Sequence, residues 1–368
     1  MKLKIVNVVG ARPNFMKMAP IMMEYRRHPD KFDPKLVHTG QHYDDNMSTL
    51  FFEQLHLPKP DVYLGIGSGS HAEQTAKVMV EMEKLMTAER PDLLVVVGDI
   101  NSTMAATISA AKLCIPVAHV EAGLRSFDRG MPEEVNRIVT DALSDYCFIT
   151  SEDADGNLRR EGIAPEKIFF VGNVMIDTLL QLKDVALKSD VSKKLGLNGP
   201  YGFVTLHRPS NVDDKTVFAE ILAALENIQR DLVLVFPVHP RTVSRLKQFG
   251  FWDELQKWKN LKLVDPVGYL DSLNLMANAK LVLTDSGGVQ EETTVLGVPC
   301  LTIRNNTERP VTITEGTNTL VGTSQSRIIG EARKILSGQG KQGRAPKFWD
   351  GKAAQRIVEC LLEHPPKR

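Results

Sequence analysis

LVLTDSGGVQEE, residues 281–292, is the stretch from which the fold can be read. Leu281, Val282 and Leu283 form a short apolar run with the length and composition of a buried strand. Asp285 and Ser286 then offer N-cap side chains, and Gly287 and Gly288 let the backbone turn with nothing protruding. Val289 to Leu296 continue as a helix whose first turn carries Glu291 and Glu292. A strand, a small-residue turn and a helix N-terminus together make a phosphate site, because free backbone N–H groups and the positive end of the helix dipole face the anion. An ordinary strand-to-helix turn is the alternative. The acidic pair, placed to reach ribose hydroxyls, favours a nucleotide.

Working outward, strand-like runs alternate with helical patterns almost throughout, the signature of parallel sheets covered by helices on both faces. In the first half the strands are IVNVV, KLVH, DLLVVVGD, PVAHVEAG, YCFIT and IFFVGN; in the second, YGFVTLH, LVLVFPVH, LKLVDP, LVLTD and PCLTIR. The expectation is an α/β protein of two Rossmann-like domains facing across a cleft. The N-terminal domain is 1–175, a linker spans 176–200, and the C-terminal domain is 201–348. A last helix in 349–368 packs back on the N-terminal domain. At 368 residues the chain exceeds one core's worth.

Lys+Arg and Asp+Glu are equal at 45 each, so no basic excess marks a nucleic-acid or membrane-surface binder. The four cysteines, Cys114, Cys147, Cys300 and Cys360, are far apart and form no C-x-x-C pair, which fits reduced thiols in the cytoplasm. The chain enters a strand at Lys4 with no signal-peptide pattern, and no apolar run approaches membrane-spanning length.

In open parallel sheets ligands bind beyond the carboxyl ends of the strands, so the residue after each strand is where chemistry is sought. GARPNFMK, residues 10–17, follows the first strand and is not the G-x-G-x-x-G fingerprint, so no nicotinamide cofactor is indicated. Arg12 and Lys17 in it are cations near a helix N-terminus and need a compensating anion; for Lys17 alone a solvated surface position is the alternative. GIGSGS, residues 65–70, resembles a nucleotide loop, but Ser70 and Glu73 make a capping box, which favours a plain helix entry. Gln41, His42, Tyr43 and Asp44 are polar at a strand end, with ligand contact and a self-satisfied loop equally supported.

Three carboxylates stand out. Asp99 follows LLVVVG, Glu121 follows PVAHV, and Glu133 with Glu134 opens a helix after Pro132. Carboxylates sharing a dry site shift one another towards usable acids and bases. The alternatives are that Asp99 caps the next helix and that Glu133 or Glu134 complements a dipole, but a Glu at a buried strand end has no capping role. No His-containing ligand spacing accompanies the acids, so no metal is expected. In the second half His207 with Arg208, and His239 with Arg241, end successive strands and fit pyrophosphate contacts, and Arg309 follows PCLTIR.

These residues resemble the non-hydrolysing UDP-N-acetylglucosamine 2-epimerases, on the two-domain GT-B-type fold shared with nucleotide-sugar glycosyltransferases. The resemblance covers nearly the whole chain through GARPNFMKMAP, GQHYD, GDINST, HVEAGLRS, MPEEVNR, TLHRPSN, TDSGGVQEE and RNNTERP, in that order. It implies that Arg12 and Lys17 lie at the active site, that Asp99, Glu121 and Glu133 are the acids and that His207 joins them. It implies that UDP is held by Ser286, Gly287, Gly288, Glu292 and Arg309. Pro209 stands where bacterial members often carry a second Arg, and QHYDD departs from their QH segment, so substrate allostery of their kind is not implied. Ser272 stands where some members place an aromatic beside the nucleotide, which leaves Tyr269 or the backbone near Val267 for the base; Arg208 and His239 are further contacts. The implied reaction inverts C2 by expelling UDP, forming 2-acetamidoglucal and adding UDP back, with no cofactor. A cytoplasmic homodimer serving polysaccharide synthesis is implied as well. An epimerase of UDP-2,3-diacetamido-2,3-dideoxyglucuronate, a glycosyltransferase on the same fold and a non-catalytic nucleotide-sugar sensor are the competing expectations.

Overall fold

Runs such as LLVVV have no polar position because both faces of the strand are covered, and all five of these side chains are buried. The computed structural model describes residues 2–40 and 57–366. It consists of two units, Met1–Thr178 with Lys347–Arg368, and Leu179–Pro346. Each is built on a wholly parallel sheet, the α/β class expected.

The first sheet contains β1 (Leu3–Val9), β2 (Phe32–His38), β3 (Val62–Tyr63), β4 (Leu93–Val97), β5 (Val117–Ala122), β6 (Tyr146–Ile149) and β7 (Ile168–Phe170), in the order β3-β2-β1-β4-β5-β6-β7. The second contains β8 (Tyr201–Thr205), β9 (Val233–Pro237), β10 (Leu261–Val264), β11 (Leu281–Thr284), β12 (Cys300–Thr302) and β13 (Asn318–Leu320), in the order β10-β9-β8-β11-β12-β13. In each sheet the winding reverses once, between β1 and β4 and between β8 and β11. Chain segments leave in opposite directions at such a point, and the gap above the strand ends is where doubly wound sheets bind ligands. The two edge strands β3 and β13 were absent from the sequence reading; they have two and three residues, too few for a periodic signal.

Valines and leucines of β1 and β4 pack against the helices His71–Glu89 and Asn101–Lys112. In the second unit Leu234, Phe236, Leu281 and Leu283 meet Phe218, Leu222 and Leu225 of the helix Lys215–Ile228. Burying each such large side chain contributes roughly 1.5–3 kcal/mol. The expected capping box is present: Ser70 Oγ accepts from the Glu73 N–H at 3.3 Å, and Glu73 Oε2 accepts from the Ser70 N–H at 2.9 Å.

The expected linker at 176–200 is largely helical. Helices Val174–Ala186 and Val191–Lys194 occupy most of it, and the boundary between units falls inside the first, at Thr178. Val174, Met175, Ile176 and Leu179 are buried, so packing imposes structure on a stretch whose polar end reads as open. Thr178 also repairs a defect. Pro20 inside the helix Arg12–Tyr25 has no N–H for the Met16 carbonyl, and the Thr178 hydroxyl donates to that carbonyl at 2.5 Å. The C-terminal helix Ala353–Glu363 packs against the helix Arg12–Tyr25, its N-terminus held by Asp177, which accepts from the Ala353 and Ala354 N–H groups at 3.1 and 2.7 Å. Among the described residues no helix is long and apolar enough to cross a membrane.

Candidate active site

At the reversal point of the first sheet, the helix Arg12–Tyr25 starts directly after β1. Asn14 pins it: its Oδ1 accepts from the Gly10 and Ala11 N–H groups, and its Nδ2 donates to the Val97 carbonyl at 2.9 Å, at the end of β4. Arg12 is exposed on the first helical turn. Lys17 is not the solvated surface residue of the alternative reading. Only 6% exposed, it forms an ion pair of 2.5 Å with Glu121. The anion its position calls for is supplied by the protein. Gly98 makes room for this: its φ is +67°, and a Cβ there would lie 3.0 Å from the Lys17 ammonium nitrogen.

Glu121 is buried with φ +75°, and the β5–β6 register shifts around it between Val120 and Ala122. A non-glycine residue in the left-handed region costs on the order of 1–3 kcal/mol, and such residues cluster at functional sites. A bulge re-aims a side chain at a strand end. Here the redirected carboxylate meets Lys17.

The helix after Asp99 begins at Asn101, with Ile100 at its N-cap. The Asp99 carboxylate pairs with Arg137 at 2.5 Å, and its carbonyl accepts from Asn136 Nδ2 at 2.9 Å. Arg137 lies on the helix Pro132–Leu143, one turn after the acidic pair. Glu133 on that helix is half-buried, whereas its neighbour Glu134 is fully enclosed. Glu134 accepts from the Ser126 and Phe127 N–H groups, the Ser126 hydroxyl and Arg137. Burial works to raise the Glu134 pKa, but these bonds outweigh it and hold it below the ordinary value. The pair therefore divides: Glu134 anchors the 126–127 turn and Arg137, and Glu133 remains the member open to a ligand.

At the reversal point of the second sheet, Asp285 and Ser286 do not cap the helix with their side chains. It begins at Gly287, two residues earlier than expected, and Ser286 occupies the N-cap with no side-chain bond. Asp285 is fully buried and accepts instead from the His207 N–H at 3.0 Å, the Arg208 N–H at 2.9 Å and Asn211 Nδ2 at 3.2 Å. Tertiary contact takes the side chain that local chemistry would use as a cap, and it braces the turn after β8. His207 Nδ1 lies 3.2 Å from Asp285, and the His207 and His239 rings are 5.6 Å apart. His239 is exposed and caps the helix Pro240–Phe249, its Nδ1 accepting from the Arg241 N–H at 3.2 Å. Burial, then the charges of His207 and Arg241, lower its pKa.

Arg309 lies directly on the glycine turn: a Cβ on Gly287 would meet its Nη1 at 2.5 Å. The same guanidinium bonds Glu291 at 2.7 Å and Glu308 at 2.5 Å. Glu308 is also reached by Arg304 at 2.8 Å and by Arg208 at 3.5 Å, so among the described residues three guanidiniums converge on one carboxylate. Burial opposes ionisation of Glu308, yet Arg309 and Arg304 overcome it and hold the pKa well below the usual carboxylate range. Sequence reading had passed over Arg304 and Glu308, although Arg304 closes the PCLTIR run and the strand-end rule points to it.

Glu291 and Glu292 sit in the second turn of the helix Gly287–Leu296, not the first. Only Glu292 is turned to Tyr269, whose hydroxyl donates to it at 2.8 Å. Burial pushes the Glu292 carboxyl up to about 7, with Tyr269 opposing and Glu291 adding to the rise. Burial and Glu292 together raise the Tyr269 hydroxyl well above its ordinary value. Val267 is half-buried in the turn before the helix Tyr269–Ala277, and Ser272 lies within that helix. Gln41, His42, Tyr43 and Asp44 lie outside the described residues. Among the described residues, no group of three or more His, Cys, Asp or Glu side chains is placed to hold a metal ion.

The chain matches known proteins along its whole length. The family model for UDP-N-acetylglucosamine 2-epimerase matches residues 23–362. The UDP-N-acetylglucosamine 2-epimerase of Methanocaldococcus jannaschii is 46% identical over 98% of this chain and 99% of its own. The UDP-2,3-diacetamido-2,3-dideoxy-D-glucuronate 2-epimerase of Pseudomonas aeruginosa is 42% identical over 98% of this chain and 100% of its own. A crystal structure of the M. jannaschii enzyme in complex with UDP-GlcNAc and UDP superposes with a TM-score of 0.90 at 45% identity, covering 98% of this chain and 100% of that one. With its two parallel sheets and acids at the strand ends, the chain belongs to the UDP-N-acetylglucosamine 2-epimerase family.

Proposed function

We propose that this protein is an isomerase that interconverts UDP-N-acetylglucosamine and UDP-N-acetylmannosamine by eliminating and re-adding UDP. The observation that carries this reading is the pairing of two acids with cations at the reversal point of one sheet: Asp99 with Arg137, which Glu134 also engages, and Glu121 with Lys17. The hydrogen at C2 is not acidified by a carbonyl, so its removal alone would leave an unstabilised carbanion. Expelling UDP from C1 as that proton leaves gives 2-acetamidoglucal instead. Return of a proton to the other face and re-addition of UDP complete the inversion. The scheme requires acids able to remove and return a proton, for which Asp99, Glu121 and the more open Glu133 are the candidates.

It also requires cationic and N–H groups for the departing diphosphate. The Gly287–Gly288 helix start with Arg309, supported by Arg304 and Arg208, suits that role, and Arg12 and His207 add further charge and donors. An ion-paired carboxylate takes up a proton rather than supplying one, which fits both Asp99 and Glu121 to the abstraction step. Glu292, with Tyr269, suits the ribose hydroxyls, and the turn at Val267 the base. Binding alone would not need the acids, which favours an enzyme over a sensor. The resemblance further supports a cytoplasmic homodimer that feeds polysaccharide synthesis.

The test is an NMR time course of UDP-N-acetylglucosamine with purified protein in D2O. UDP-N-acetylmannosamine carrying deuterium at C2 is expected. Product without label, or no product, overturns the proposal. The second reading, the diacetamido-glucuronate substrate, rests on the 42% identical Pseudomonas aeruginosa relative. The TERP and EGTNTLVGT segments favour N-acetylglucosamine, and direct competition between the two sugars decides.

A further inference from the structure

We infer that His119, held as an imidazolium between Asp141 and the Gly98 carbonyl, is a positioning residue that sets the spacing of Asp99 and Glu121. His119 lies in the middle of β5, fully buried, two residues before Glu121. Its Nε2 is 2.8 Å from the Gly98 carbonyl, and its Nδ1 is 2.6 Å from Asp141. A carbonyl oxygen can only accept, so Nε2 carries a proton. Asp141 Oδ2 accepts from the Gly123 N–H at 3.1 Å and pairs with the Arg125 guanidinium at 2.7 Å, and the guanidinium favours the carboxylate form. Nδ1 therefore donates as well, and the ring is cationic.

Charge balance leads independently to the same state. Arg125 bonds Glu161 through two nitrogens, at 2.8 and 2.5 Å, in addition to Asp141. Arg125 shares its charge between the fully buried Asp141 and the exposed Glu161, so it compensates the buried carboxylate only in part, which a neutral imidazole would not make good. Isolated buried charge is costly, and a protonated His119 makes the cluster neutral. The Asp141 pKa falls in line with this: burial would raise it, but His119, followed by Arg125, holds it below the ordinary value.

The geometry gives the cluster its task. Gly98 immediately precedes Asp99, Gly123 follows Glu121 by two residues, and both are tied to one His–Asp pair. The first tie fixes the turn that carries Asp99. The second fixes the far side of the bulge that holds Glu121 at positive φ. Beside the clamp, the β4 and β5 ends are joined by their parallel ladder, which closes with the bond from the Gly98 N–H to the Val120 carbonyl at 3.1 Å. A two-acid inversion depends on the separation of its acids, and a displacement of about 1 Å costs on the order of 100-fold in rate.

This inference rests on the epimerase reading, and the experiment separates the two. His119→Gln keeps one donor but removes the charge and the two-sided bridge. Its expected kcat, counted per UDP site titrated by calorimetry, falls about 100-fold, while KM for UDP-N-acetylglucosamine changes less than about threefold. More 2-acetamidoglucal escapes per turnover, because elimination continues while proton return fails. In parallel, wild-type protein labelled with 15N-histidine shows at pH 8 one imidazole with both N–H protons, absent from the variant. A kcat per UDP site within twofold of wild type, or a His119 ring carrying a single N–H, overturns the inference. Assigning that imidazolium to His119 in the wild-type protein by its through-space contacts to Gly98 and Asp141 lets the NMR arm decide even where the variant does not fold. Wild-type protein that binds UDP and shows the imidazolium but leaves the sugar unchanged overturns the epimerase reading instead.

Discussion

The charge clusters at the two reversal points use ion pairs in opposite ways. In the first unit cations are spread among the carboxylates: Lys17 pairs with Glu121, and Arg137 is shared by Asp99 and Glu134. In the second unit three guanidiniums gather on Glu308 and one of them also holds Glu291. The first arrangement keeps acids poised and close to balance, as groups that move protons must be. The second concentrates positive charge beside a helix N-terminus, as a diphosphate grip must. A buried ion pair is weak evidence for stability, because desolvation offsets much of the attraction. Both clusters are better explained by the species they are arranged to meet.

Substitutions can break this division of labour, and the largest effect is expected from the acids. Asp99→Asn removes one of the candidate bases and leaves Arg137 with Glu134 as its carboxylate partner. Turnover falls by about 1,000-fold, while calorimetry still finds UDP binding close to wild type. Lost UDP binding would assign Asp99 to the grip and end the comparison. Next, Arg309→Ala should weaken UDP by on the order of 100-fold, since truncating one partner of a buried charge pair costs about 2–5 kcal/mol. Glu291 and Glu308 would lose a partner, so the melting temperature drops too. Unchanged UDP affinity with only a lower melting temperature would make the arginine cluster structural.

The smallest effect sharpens the contrast through pH. Burial pushes the Glu292 carboxyl up to about 7. Ribose hydroxyls donating to it stabilise the carboxylate and lower its pKa in the complex. Affinity is then fully present above pH 7 and is lost as pH falls, by no more than about tenfold per unit. Calorimetry across pH 5.5–8 should show this slope in wild type and not in Glu292→Gln. The difference between them excludes the titration of the phosphate itself. Equal slopes would remove Glu292 from the ribose role.

How much was legible depended on the kind of signal. Long apolar runs announced eleven strands, and the strand-end rule led to Arg12, Asp99, Glu121, His207 and Ser286. The two shortest edge strands lacked a pattern long enough to read. Capping chemistry misled at Asp285 and Ser286, because a buried backbone turn 77 residues away in the chain claims the Asp285 carboxylate. Glu133 and Glu134 are indistinguishable as letters. Which one faces inward depends on where Arg137 and the 126–127 turn lie.

From its residues alone the chain determined two parallel α/β sheets, a glycine turn suited to phosphate and a set of strand-end acids, since periodicity and backbone permissiveness are local properties. Only tertiary structure decided each acid's partner. It enclosed Lys17 with Glu121, gathered Arg208, Arg304 and Arg309 on Glu308, and set His119 between Asp141 and Gly98. Electrostatic pairing acts through space over a few ångströms, and which charges come that close is settled by how the strands are ordered in the sheet, not by their order in the chain.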